Sequence, residues 1–179
     1  MKKPAAAPEF RCLHCGAGVS CGHAVSAVRN RNHCPYCLWS RHLDWREPGD
    51  RLSSCKGAMH PVGLTRKAVR KKYGGANSGE LMVVHECLEC GSVSINRIAA
   101  DDSADELFAV FRRTPEATAR IRAGLPRMGI RVLGWDERRI VTRQLFGVDA
   151  AESFDSSMGR VSAGLSIVDS TEDFGYDYH

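Results

Sequence analysis

The sequence predicts a small α+β fold: short β-strands and loops stapled by two structural metal sites, then a short helical segment and an acidic, disordered tail. Three observations predict it. Cysteines pair three residues apart in Cys12-Leu13-His14-Cys15-Gly16, Cys34-Pro35-Tyr36-Cys37 and Cys87-Leu88-Glu89-Cys90-Gly91, so one tight turn offers two sulfurs to a tetrahedral metal. Strand-like segments are few and short. Leu107, Phe108, Val110 and Phe111 follow at helical spacing behind Asp101-Asp102-Ser103.

Residues 1–9 read as a disordered leader, because Met1-Lys2-Lys3 starts like a signal peptide but no sufficient apolar stretch follows. Residues 10–19 read as strand, knuckle and turn, with Gly16 and Gly18 taking unusual backbone angles. Cys21 has no partner at knuckle spacing and is expected not to bind metal. After the second knuckle, Glu47-Pro48-Gly49-Asp50-Arg51 forms a turn, where proline fixes one angle and glycine accepts the next. Cys55 is the one unpaired cysteine expected to bind metal. Arg66, Lys67, Arg70, Lys71 and Lys72 fall within seven positions, ahead of a flexible loop at Gly74-Gly75-Ala76-Asn77-Ser78-Gly79. Residues 80–86 form the best strand and deliver the third knuckle. A helix starts at 101–103 and ends at Pro115, and residues 116–123 form another short helical segment closed by Gly124 and Pro126. The pattern over 130–147 fits strand and helix alike. The domain organisation expected is a leader at 1–9, a metal-binding domain at 10–102, a helical or mixed extension at 103–147 and a tail at 148–179 that is acidic and mostly disordered.

Charge is divided unevenly. Residues 1–100 carry 15 Lys+Arg against 7 Asp+Glu, a net of +8, whereas residues 101–179 carry 10 against 14, a net of −4. A basic front and an acidic tail suit a polyanion-binding module whose tail competes for its face, or two differently charged solvated surfaces. The longest aliphatic run, Leu81-Met82-Val83-Val84, is too short to cross a bilayer. A cytoplasmic protein is expected, where reduced cysteine pairs hold metal more often than they form disulfides.

Glycine directly after Cys15 and Cys90 suits a knuckle, whereas a thioredoxin-like dithiol would open a helix within a βαβ pattern, and no such pattern is visible. Histidines accompanying the cysteines favour zinc over an iron–sulfur cluster. Two four-ligand sites need eight groups. Cys12, Cys15, Cys34, Cys37, Cys55, Cys87 and Cys90 supply seven, and His42, five residues after Cys37, is the expected eighth, with His85 as the alternative. His14, His23, His60 and His179 read as solvent-facing. Two Zn2+ ions per chain, each fully ligated, would be structural rather than catalytic. Two partitions remain open: Cys12, Cys15, Cys34 and Cys37 with His42, Cys55, Cys87 and Cys90, or a local Cys34, Cys37, His42 and Cys55 site with the first and third knuckles meeting. Such small domains bury little apolar area, and structural zinc contributes about 10–16 kcal/mol in finger peptides.

The pentad Arg31-Asn32-His33-Cys34-Pro35 resembles the bacterial RNHCP-domain family. The likeness extends to Phe10-Arg11-Cys12-Leu13-His14-Cys15-Gly16, Cys37-Leu38-Trp39-Ser40-Arg41-His42-Leu43-Asp44, Pro48-Gly49-Asp50-Arg51, Cys55-Lys56-Gly57-Ala58-Met59, and Cys87-Leu88-Glu89-Cys90-Gly91 through Asn96-Arg97-Ile98-Ala99-Ala100-Asp101-Asp102. It covers residues 10–102 and implies a bacterial origin and a zinc-ribbon-like domain, but no activity.

Three functions are weighed. The first is a non-catalytic zinc module that binds RNA, on a ribosome or a tRNA-like surface, through Arg31, Asn32, His33, Arg41, Arg51, Arg66, Lys67, Arg70, Lys71, Lys72 and Arg97, with Tyr36, Trp39 and Trp45 able to stack on bases. Against this, Asn32 and His33 can serve the knuckle instead, by hydrogen-bonding cysteine sulfurs or capping the turn, and Trp39 can serve the core. The second is a protein adaptor with Leu107, Phe108, Val110 and Phe111 as its sticky helix and residues 103–179 facing a partner. The third is a metal-dependent hydrolase using His33, His42, Asp44 or Asp50. Asp101 and Asp102 read as helix capping rather than as a paired-carboxylate site. No membrane role and no small-molecule substrate is evident.

Overall fold

A computed structural model describes residues 9–68, 79–114, 125 and 129–147. The expectations for the leader through Pro8, for Arg70, Lys71 and Lys72, for the glycine-rich loop before Gly79, for Pro115 and the segment at 116–123, for Gly124 and Pro126, and for the tail from Val148 lie outside these residues.

Alternation of apolar side chains builds the central sheet. In β5 (Gly79–Cys87), Leu81 and Val83 point to one face and Val84 to the other, and the strand is buried on both. It pairs antiparallel with β4 (Ala58–Ala68) on one side and β6 (Val93–Arg97) on the other. The two-residue β3 (Ser40–Arg41) pairs with β4 at Ala58 and Met59, which completes the order β3-β4-β5-β6. A register shift between Pro61 and Gly63 re-aims β4, so Leu64 joins Val83 on one face while Val62 joins Val84 on the other. A separate hairpin of β1 (Glu9–Arg11) and β2 (Gly18–Ser20) carries the first knuckle, and α1 (His23–Ser26) links it to the second.

The helix behind Ser103 forms as expected, as α2 (Ala104–Arg113). Its cap differs in detail: Ser103, not an aspartate, accepts from the Glu106 N–H at 3.2 Å. The ambiguous stretch from Ile130 resolves into three pieces. Val132 bridges to Thr65 on the open edge of β4, a 3-10 turn covers Trp135–Glu137, and α3 spans Arg138–Phe146.

Leu107, Phe108, Val110 and Phe111 are each no more than 6% exposed. They pack with Leu64, Leu81, Val83, Leu133, Val141 and Leu38, a residue of the second knuckle. This corrects the sticky-helix expectation, because the apolar face of α2 closes the protein's own core. Replacing Phe111 with alanine should cost about 3–5 kcal/mol, read from the denaturant midpoint. A cost far below that would show that α2 and the knuckle do not share one core.

Candidate metal centres

The three knuckles fold in one way because each repeats the same backbone bonds. The N–H of the residue after the second cysteine donates to the first cysteine's carbonyl, from Gly16 to Cys12 at 3.0 Å, Leu38 to Cys34 at 2.9 Å and Gly91 to Cys87 at 3.0 Å. That residue is left-handed each time, with φ of 75° at Gly16, 60° at Leu38 and 69° at Gly91. Glycine suits the position in two knuckles. In the second, Leu38 is held there by its fully buried side chain and by His85, whose Nε2 donates to the Leu38 carbonyl at 2.6 Å. Burial lowers the His85 imidazole to about 3, so it stays neutral, and Asn96 Nδ2 lies 3.0 Å from its other nitrogen.

These turns gather the donors into two groups. Cys12, Cys15, Cys34 and Cys37 form one, and His42, Cys55, Cys87 and Cys90 the other, each with its ligand atoms within 4.8 Å of one another. The first of the two open partitions is the one present. His42 joins the second group while His85 braces Leu38, and Cys21 belongs to neither. The Sγ atoms of Cys12 and Cys37, Cys15 and Cys34, and Cys55 and Cys87 are each 3.6 Å apart, and Cys90 Sγ is 3.3 Å from His42 Nδ1. A tetrahedron with metal–sulfur bonds of about 2.3 Å has edges near ~3.8 Å, so the donors fit one ion in each group. The approach at the second group depends on Gly57, where a Cβ would stand 2.9 Å from Cys87 Sγ.

The thiols differ electrically. A hydrogen bond from the Ala17 N–H lowers Cys15 to about 7, and Ser92, through its side chain and its N–H, lowers Cys90 to about 6. Burial pushes Cys34, Cys37 and Cys87 up. A divalent cation entering either group therefore displaces protons from the buried thiols.

Around the centres, the structure sorts the expected RNA-contacting residues into inside and outside. The Arg31 guanidinium is fully buried. Its Nη1 donates to Asp101 at 2.8 Å, its Nη2 to Asp102 at 3.1 Å and its Nε to the His33 carbonyl at 3.1 Å. His33, 1% exposed, meets the other Asp102 oxygen at 2.7 Å. Asn32, 8% exposed, donates to Asp44 at 2.9 Å and accepts from Arg51. These three residues are thus not an exposed edge. Arg31 and His33 clamp the strap behind β6 to the second knuckle, Asn32 ties the knuckle to the 44–52 loop, and Ser103 N–H adds a bond to the Pro35 carbonyl at 2.9 Å. Asp101 and Asp102 serve this clamp rather than the helix cap.

Arg51 is committed to Asn32, and Arg97 pairs bidentately with Glu80 at 2.8 and 2.9 Å on the surface. Arg41 and Lys67 are exposed and Arg66 is half-buried. Asp44 accepts from the N–H groups of Gly49 and Arg51, and Asp50 from those of Trp45, Leu52, Arg46 and Glu47, which holds the Asp50 carboxyl well below the usual carboxylate range. Both carboxylates thereby organise the loop at 44–52. Tyr36 and Trp45 are exposed, whereas Trp39 is half-buried and stacked on His14. His14 and His23 are exposed, as expected, His60 is half-buried, and His179 lies outside the described residues.

Closed four-donor groups on short strands and turns define a class, the small cysteine-rich module built on metal. The RNHCP domain matches residues 7–108, more than half of the chain, and the chain belongs to that family. No curated protein and no solved structure matches it. Among the described residues no helix is long and apolar enough to cross a membrane.

Stripping the metal should unfold the knuckle domain, with loss of amide dispersion and of a cooperative melt, and regain on adding zinc. A chelated protein that keeps both would overturn the structural role. Asp102→Asn should cost about 3–5 kcal/mol in chemical denaturation by leaving Arg31 short of charge, while elemental analysis still finds two ions per folded chain.

Proposed function

We propose that this chain is a zinc-binding module that holds RNA without acting on it chemically. Seven thiols and one imidazole in two closed groups are the donor set of structural zinc. In such a site each ion would cross-link the chain segments that supply its ligands. The two-ion stoichiometry and a reducing cytoplasmic setting belong to the same proposal, because these thiols must stay reduced to serve.

One observation carries the RNA reading. The Arg46 guanidinium lies 4.0 Å over the exposed Trp45 ring, at the lip of an open groove of about 730 Å3 that runs from the 44–52 loop to β6 and includes Arg41. An exposed aromatic ring beside an arginine is a pairing suited to single-stranded RNA, with stacking for a base and a cation for phosphate. The net of +8 over residues 1–100 adds long-range attraction. Ribosomal or tRNA-like single strands are partners of this kind. The hydrolase reading loses support, since His42 stands among the metal donors, His33 is sealed against Asp102, and Asp44 and Asp50 are occupied by loop N–H groups.

Affinity for single-stranded RNA should fall with salt by about 0.7 log units per log unit for each phosphate contact. The Arg41→Ala/Arg46→Ala protein should lose about 1.4 of that slope. Binding that is flat with salt would sink the reading.

A further inference from the structure

We propose that the apolar cleft between the first knuckle and β3 receives a single unstacked base of a single-stranded RNA. This rests on the RNA reading above and gives it a specific pocket. The cleft is a cavity of about 250 Å3, smaller than the roughly 300–1,000 Å3 of sites that enclose whole ligands. It has room for one flat group. One wall is the stack of His14 on Trp39, with ring centroids 4.1 Å apart and planes 6° from parallel, and Phe10, Leu13 and Leu43 continue the apolar lining.

The charge around the opening selects the occupant. Four arginines and no carboxylate line the cleft. Arg31 is neutralised by Asp101 and Asp102, and Arg51 is held by Asn32. Arg11 and Arg41 are exposed and bonded chiefly to backbone, Arg11 Nη1 to the Gly16 carbonyl at 2.9 Å and Arg41 Nε to the Lys56 carbonyl at 3.0 Å. Their outward N–H groups suit phosphate oxygens. A bare phosphate has no use for the apolar wall, and an apolar ligand none for the arginines; a nucleotide uses both. Arg41 and Leu43 also line the groove that holds Trp45 and Arg46, so a strand lying in that groove passes the mouth of the cleft.

Cys21 reports occupancy. It is half-buried, lines the cleft, and is the one cysteine outside the two metal groups. In the zinc-loaded full chain, N-ethylmaleimide should modify Cys21 selectively, and saturating short single-stranded RNA of mixed sequence should slow that reaction about tenfold, read by peptide mass analysis. The neutral adduct, once formed, should weaken single-strand binding about tenfold, the size of one lost base stack. Duplex RNA should neither protect Cys21 nor notice the adduct. If the single strand binds yet leaves Cys21 unprotected, or if duplex protects equally, the base pocket is overturned while the RNA reading stands. If no salt-sensitive RNA binding is seen at all, both fall.

Discussion

Four donor atoms brought within bonding distance of one point, twice over, are the constraint on which this structure depends. Two thiolates 3.6 Å apart repel by about 5 kcal/mol at an effective dielectric of 20. Each group is therefore held either by protons or by a cation, and only the cation also draws the chain segments together. The first group ties residues 12–37 into a local unit. The second draws on residues 42–90 and so closes over β3, β4 and β5. Sheet register and metal geometry are specified together, since Met59 sits opposite both Ser40 and Cys87.

The second knuckle is where metal and hydrophobic core become one object. Its left-handed residue is leucine, a shape that costs backbone energy for a side chain with a Cβ. Leu38 offsets that cost by burying its side chain among Val83, Phe108 and Phe111 and by giving its carbonyl to His85. The extension consequently packs against the metal-bearing domain rather than hanging from it. Thr65 Oγ1 bonds the Arg131 carbonyl at 2.7 Å, and Leu133 N–H bonds that of Leu64 at 2.8 Å.

What the sequence made legible follows from how local each signal is. Cysteine pairs at fixed spacing declare a knuckle because a single turn sets their geometry, and α2 announces itself by its apolar spacing behind Asp101-Asp102-Ser103, although the sequence did not single out Ser103 as the cap. The role of Arg31, Asn32 and His33 was harder to read, since an arginine beside a knuckle looks equally suited to phosphate or to a carboxylate. Its carboxylates lie 70 and 71 residues away, and no periodicity reports contacts of that range. Two short polar motifs in one chain, Arg-Asn-His and Ala-Asp-Asp, of complementary charge, were the signal available. The length of β4 was hidden for another reason: Pro61, Gly63 and the basic residues after Thr65 mask a strand that a bulge re-phases midway.

Burying Arg31 also sharpens the argument about the surface. A net charge counted along the chain assigns every arginine to the solvent, but here one is spent on holding the strap to the knuckle, and Arg51 and Arg97 are tied to neighbours. Among the described residues the unpaired positive charge at the surface is therefore smaller than that count implies. Leu13 and His14 stand between Cys12 and Cys15, so the cleft wall is itself part of a ligand turn. Any ligand that prefers this wall in its metal-held shape stabilises the loaded fold in proportion to its binding. By reciprocity the metal raises affinity for that ligand by the same factor. Metal occupancy and the shape of this cleft wall are therefore linked through a single turn, the one that carries both Cys12 and Cys15.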